Sequence, residues 1–293
     1  MRRGDFAAAW TVCDEVLRRR LGDRVDCGNW ARHLQFVWNG EPLDGKRVLV
    51  RCYHGLGDTI QFVRLLAELR PRVAEITLWA QPQLVGLLRS VRGADRVLPL
   101  HDGSPDVAYD ADIELMELPH ALRLTIDRIP QRVPYLSVAG ARRKLPCWPP
   151  RNVGLVWRSG DWVPQRSIPE PALAQLADVP GVRWHSLQYP PLALPFDAVD
   201  LACRDIGTMA ARMLMLDLVI SVDTMAAHLA GALALPVWTL LHDDCDWRWL
   251  ADREDTPWYP TMRLFRQCAA DDWLPLIARV QDELQGSSLR PMQ

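Results

Sequence analysis

Residues 217–241 read DLVISVDTMAAHLAGALALPVWTLL. A stretch this apolar approaches the roughly 20 residues that span a bilayer, but Asp223, His228 and Pro236 interrupt it. A buried strand (DLVISV), a short helix (TMAAHLAGAL) and a second strand (PVWTLL) account for it better, because β-branched runs end at an Asp-Thr pair and resume after a proline. Strand, helix and strand in so few residues are the repeating unit of a parallel α/β sheet.

The same alternation continues upstream. NVGLVWR from Asn152 reads as a strand, PEPALAQLADV as a helix, VRWHSLQ as a strand and GTMAARMLML as a helix. DWLPLIARVQDELQ reads as a last helix, and SSLRPMQ as a frayed tail. A separate series occupies the first half. RVLVRCY (47–53) is a strand, HGLGD a turn, TIQFVRLLAELR a helix, EITLWA (75–80) a strand, PQLVGLLRSV a helix and RVLPL (96–100) a strand. Before it, Phe6, Ala9, Trp10, Cys13, Val16 and Leu17 stand at helical spacing, so a helix opens the chain. PYLSVAGARRKLPCWPPRN, with prolines at 134, 146, 149 and 150, reads as the linker between the halves. The expectation is a helical extension over 1–40, a Rossmann-like domain over 41–145 and a second over 146–293. Two doubly wound domains in series predict a central cleft, with the chemistry in turns beyond the carboxyl ends of the strands.

Composition narrows the function. Of 293 residues, 34 are basic and 36 acidic, a net charge of -2 that draws the chain neither to nucleic acid nor to an anionic membrane. Seven cysteines, Cys13, Cys27, Cys52, Cys147, Cys203, Cys245 and Cys268, are scattered with no CxxC pair. Reduced thiols in a cytoplasmic protein are expected. The start, MRRGDFAAAW, lacks the apolar run of a signal peptide. No transmembrane segment is expected, and nothing decides the oligomeric state.

Three turns carry candidate chemistry. In the first, His54, Gly55, Leu56, Gly57 and Asp58 follow a strand and open a helix, with Gln61 one turn on. Two glycines allow close backbone approach, and Asp58 reads either as an N-cap or as a general base. The motif lacks the third glycine and the distal acid of a dinucleotide fingerprint, which argues against a nicotinamide dehydrogenase. In the second, Asp223 or Thr224 caps a helix whose first N–H groups suit a phosphate, and His228 lies on a face that looks back to the turn. In the third, Arg158, Arg166 and Ser167 sit in a loop that offers cations and hydroxyls for a diphosphate. Gln188 ends the strand beside it.

HGLGDTIQFVRLL (54–66), RSIP (166–169), SLQ (186–188), DLVISVDTMAAHLAGAL (217–233), DWRWL (246–250), TPWYP (256–260) and MRLFRQ (262–267) together resemble glycosyltransferase family 9, the heptosyltransferase-related family. Their order and spacing cover nearly the whole chain and resemble most the bacterial branch linked to tetratricopeptide repeats. The opening helix is similar to the remnant of such a repeat array. The resemblance implies a GT-B fold and inverting, metal-independent sugar transfer from a nucleoside-diphosphate sugar, with no cofactor. It makes Asp58 the base that deprotonates the acceptor hydroxyl. Asp223 would contact sugar hydroxyls, with Thr224, His228, Arg166 and Ser167 at the diphosphate. His54, Gly55, Gly57, Gln61, Arg158, Gln188 and Arg248 are further contacts.

The chain departs from the pattern at Arg166, where lipopolysaccharide enzymes often carry lysine, and at Met225, where a glycine is common. ADP-heptose and other nucleotide sugars are both open as donors. Scattered cysteines give no support for the clustered iron site of a related autotransporter group. The acceptor, whether glycan, lipid or protein, is not specified; the acidic stretch 101–119, with Asp102 and Glu114, is read as part of its site. Trp247–Trp249 and Trp258–Pro260 read as core first and as a sugar-stacking surface second. A non-catalytic nucleotide-sugar or protein-binding module is the alternative function, and a sugar-nucleotide epimerase a third.

Overall fold

The computed structural model describes residues 1–23, 26–141 and 151–286. They form two compact units, Met1–Ser137 and Val138–Gln293. Most of the proposed linker, Cys147 within it, and the C-terminal tail lie outside the described residues.

The first unit opens with α1 (Phe6–Gly22), capped by Asp5, whose carboxylate accepts the Ala8 N–H. α1 is docked rather than detached. Phe6 and Trp10 are buried, the Trp10 indole donates to Leu124 O at 2.7 Å, and Asp14 pairs with His120 and Arg123. There follow β1 (Arg47–Arg51), α2 (Leu56–Phe62), α3 (Leu66–Leu69), β2 (Glu75–Ala80), α4 (Val85–Leu88), β3 (Arg96–Pro99), β4 (Ala111–Glu114) and α5 (Leu118–Ala121). The sheet order is β3-β2-β1-β4, all parallel. β4 lies within the acidic stretch 101–119. Its Ile113 and Glu114 are buried against β1, and only Asp102 of the two named acids stays exposed, paired with Arg32.

The second unit runs β5 (Arg151–Val156), α6 (Glu170–Leu173), β6 (Val182–Ser186), β7 (Val199–Asp200), α7 (Ile206–Met213), β8 (Leu218–Val222), α8 (Met225–Ala232), β9 (Val237–Leu241), β10 (Met262–Arg266) and α9 (Trp273–Gly286). Six parallel strands lie in the order β10-β9-β8-β5-β6-β7. Every residue of β8 and β9 is buried, as expected of central strands in a parallel sheet covered on both faces. One face packs Leu155, Ile220, Leu240 and Phe265 against Leu173 and Leu176 and against Trp273, Ile277 and Val280 of α9. Burying each such side chain contributes about 1.5–3 kcal/mol.

Both sheets reverse their winding at one place. From β1 the chain proceeds outward through β2 and β3, then returns to the other side of β1 as β4. From β5 it proceeds through β6 and β7, then returns as β8. Loops after adjacent strands diverge there and leave a crevice at the carboxyl ends, the general ligand position of open α/β sheets. Within the first unit that place lies beyond β1 and β4; within the second, beyond β5 and β8.

Candidate functional site

In the second unit, β8 delivers Asp223 to the sheet edge with 5% of its surface exposed. Arg166 Nη2 lies 3.6 Å from one carboxylate oxygen and His228 Nε2 lies 3.8 Å from the other. Burial pushes the Asp223 carboxyl up, and the charges of Arg166 and Arg248 and the Trp249 indole oppose that shift. His228 reaches the site because α8 starts at the strand end and its fourth residue turns back over the turn. Its ring is fixed from behind. Nδ1 is 3.0 Å from the Tyr259 hydroxyl, and the ring stacks on Trp249 with centroids 5.2 Å apart and planes at 17°. That leaves Nε2 turned toward Asp223.

Thr224, rather than Asp223, is the N-cap of α8. Its hydroxyl is 3.0 Å from that of Ser221, so the side chain is held by the strand end.

Arg166 ends a tight turn, Pro164–Arg166, inside the loop after β5. That loop is stapled along its length. Ile168 N donates to Trp157 O at 2.8 Å, Ser159 N to Ser167 Oγ at 3.1 Å and Ser159 Oγ to Val163 O at 3.0 Å. Gln188, 4% exposed, accepts from the N–H groups of Trp157 and Arg158. Ser167 and Gln188 thus position the loop. Arg158 is exposed and 3.9 Å from Asp161. A pocket of about 430 Å³ opens beside the loop, lined by Trp157, Arg158, Ser167, Glu170 and Leu192 among others.

Arg248 is 7% exposed, with Nε held by Asp246 at 2.9 Å. Trp249, Trp258 and Tyr259 are fully buried, so these aromatics pack the core and offer no open sugar-stacking face.

In the first unit the turn after β1 is built differently from the N-cap expectation. Gly55 is the N-cap of α2, and Asp58, three residues in, accepts the Gly55 N–H at 3.0 Å, the return arm of a capping box. Gly57 lies in the first turn of α2. Gln61 is 0% exposed and belongs to the interior face of the helix. His54 O accepts from Gln81 Nε2 at 2.7 Å, and Gln81 Oε1 accepts from Thr59 Oγ1 at 3.0 Å, which ties the β1 and β2 ends together.

The His54 imidazole lies 3.1 Å from Glu114 Oε1. Glu114 holds it above the ordinary histidine range, against the effect of burial, and Asp58 adds to the effect. Glu114 also accepts from the Tyr53 N–H at 3.1 Å. Next to it, Glu117 accepts from Trp38 N and Glu114 N, and burial pushes its carboxyl up to about 7. Sequence reasoning named Glu114 as part of an acidic acceptor-site stretch and did not single out Glu117. Two acids three residues apart carry no motif, and it is the pairing of β4 with β1 that buries Glu114.

A second omission is His242, directly after β9 and 6% exposed, whose ring lies within the field of Arg166 and Asp223.

No family model matches the chain. Protein FlbA of Caulobacter vibrioides is 26% identical over 295 residues, covering 85% of this chain and 48% of that protein. The chain therefore spans about half the length of the curated relative it matches. Among solved structures, a glycosyl transferase family 9 protein from Veillonella parvula superposes with a TM-score of 0.53 at 14% identity, covering 78% of this chain and 87% of the other. The ADP-heptose lps heptosyltransferase II of E. coli gives 0.57 at 14% identity, with 83% and 98% covered. At this identity the likeness shows a shared fold: two parallel α/β sheets arranged in sequence as in glycosyltransferase family 9 heptosyltransferases.

Proposed function

We propose that the chain is an inverting glycosyltransferase that moves a sugar from a nucleoside-diphosphate donor to an acceptor hydroxyl without a catalytic metal. The observation that carries the reading is the grouping of buried Asp223 and His228 with half-buried Arg166 at the winding reversal of the six-stranded sheet. It combines a carboxylate able to accept hydroxyl hydrogen bonds with cationic and imidazole donors able to hold phosphate oxygens. The family resemblance of the motifs and the shared fold of the E. coli enzyme, named for ADP-heptose, both support a nucleotide-sugar donor. ADP-heptose is the first donor to test. The motif order resembles that of the repeat-linked branch, which is the branch we propose for the chain.

In this reading Asp58 takes the proton of the acceptor hydroxyl. The oxygen attacks the anomeric carbon from the face opposite the diphosphate, and the bond to the phosphate oxygen breaks as negative charge passes to the leaving group. Arg166 and His228 stabilise that charge, with Thr224 and the first N–H groups of α8 beside them. Asp223 orients the sugar hydroxyls, and Arg248 adds positive potential behind them.

The capping bond of Asp58 to Gly55 favours one alternative, a nucleotide-sugar-binding module in which Asp58 is purely structural. One experiment separates the two: thermal-shift and calorimetric titration with ADP-, UDP-, GDP- and CMP-linked sugars, on wild type and Asp58→Asn. Binding of one donor by both proteins, with slow donor hydrolysis only in wild type, supports the transferase. Binding with no turnover in either supports the module. If no nucleotide sugar binds at millimolar concentration, both readings fall.

A further inference from the structure

The strand second from the β10 edge of the sheet, β9, leads directly into a histidine, His242, that lies in none of the three candidate turns. The pairing Val222↔Leu240 sets His242 one strand over from the Asp223–Thr224 turn, at the same carboxyl edge of the sheet. The residue is 6% exposed, and its Nδ1 has no hydrogen-bond partner among the described residues. Arg166 Nε, on the loop after β5, is buried and likewise without one. Native proteins pair more than nine-tenths of their buried polar groups, so two unpaired nitrogens around one carboxylate need an explanation.

The charged groups acting on His242 are Arg166 and Asp223 across the edge and Asp243 and Asp244 directly after it, with Gln267, just past β10, accepting from Asp243 N. Asp223 is already engaged by Arg166 Nη2 and His228. What fits an unpaired arginine N–H and an unpaired imidazole nitrogen, carried by two separate elements and within electrostatic reach of each other, is an anionic oxygen of a ligand.

We propose that His242 is a further ligand for the donor's diphosphate, acting with Arg166 as a two-pronged clamp. This rests on the transferase reading above. Burial, and after it the charge of Arg166, holds the imidazole below its ordinary range, so it is neutral at pH 7 in the free protein. A phosphate oxygen at Nδ1 favours the charged form, so binding takes up a proton and donor affinity rises as pH falls toward 6.

The test is calorimetric Kd measurement for ADP-glucose and UDP-glucose, whose diphosphates do not titrate between pH 6 and 8, on wild type, His242→Asn and His242→Gln. The result expected is a loss of about tenfold at pH 6.5 in both variants, with the pH dependence of the Kd flattened. An unchanged Kd with an unchanged pH profile overturns the assignment while leaving the transferase reading in place. If wild type binds neither probe nor any other nucleotide sugar, that reading falls and the clamp falls with it. Should both variants fail to fold, the His242 titration in wild type is followed by NMR: the imidazole pKa rises on adding the bound probe if the clamp is right, and an unmoved pKa overturns it.

Discussion

The Asp58 carboxylate accepts the Gly55 N–H at 3.0 Å, so the residue proposed as base also closes the first turn of α2. The two duties separate by substitution. Asparagine keeps an oxygen that accepts the same N–H, but it takes no proton. Asp58→Asn is therefore expected to melt within a degree or two of wild type while kcat for transfer drops about 10²- to 10⁴-fold, the usual worth of a general base. Asp58→Ala loses the cap as well, costing about 1 kcal/mol. Turnover in Asp58→Asn within tenfold of wild type removes the base assignment.

Glu117 makes a second prediction at this scale, on stability alone. Its carboxyl titrates at about 7 in the folded chain, raised by burial from an ordinary 4.5. Between those values the unfolded chain has lost the proton and the folded chain retains it, so the native state binds more protons and stability falls as pH rises. The loss is complete above pH 7 and amounts to at most about 3 kcal/mol. Glu117→Gln still accepts from Trp38 and Glu114 through its amide oxygen, so its denaturant midpoint should be flatter from pH 5 to 8 than wild type and higher at pH 8. An identical slope in the two proteins refutes the buried proton.

At the scale of elements, α8 is held against the aromatic layer at Gly231. A Cβ there would lie 2.5 Å from the Tyr259 ring, which is fully buried and whose hydroxyl holds His228. Gly231→Ala is predicted to cost about 1–3 kcal/mol by overpacking and to weaken nucleotide-sugar binding as Tyr259 shifts. Tyr259→Phe keeps the packing and removes only the hydroxyl, at about 1 kcal/mol; it should lower affinity and reduce the melting temperature by only about 2–4 °C. If Tyr259→Phe binds as wild type does, the hydroxyl does not orient His228.

These elements also show what could be read in the sequence. β8, α8 and β9 were legible because apolar runs are broken by Asp223, Thr224 and Pro236 at the right places, and β1 with its glycine turn was legible for the same reason. β4, β7 and β10 were not. ADIE and MRLFR mix charges into short strands, where Asp112 pairs with Arg51 and Arg263 with Glu283, while β7 has two residues, both exposed. The Asp223, Arg166 and His228 grouping was implied by the family resemblance of the motifs. His242 and Glu114 were not, since each becomes notable only when a neighbouring strand buries it.

At the scale of the molecule, each unit carries its own parallel sheet and its own buried residues, Leu49, Ile60 and Trp79 in the first and Leu155, Ile220 and Phe265 in the second. A unit with a complete core can unfold separately. The residues proposed to hold the donor, Arg166, Asp223, Thr224, His228 and His242, all belong to the second unit, so on the proposed reading a nucleotide sugar stabilises that unit by mass action. Scanning calorimetry is expected to resolve two transitions. Leu155→Ala, which opens a cavity in the second core at a cost of about 2–5 kcal/mol, identifies which of them belongs to that unit. Donor at 100 times its Kd adds about 2.7 kcal/mol and should raise the same transition by about 5–10 °C. A donor-induced shift confined to the transition that Leu155→Ala leaves unmoved would place the donor residues in the wrong unit, and with them the roles of Arg166, Asp223 and His228.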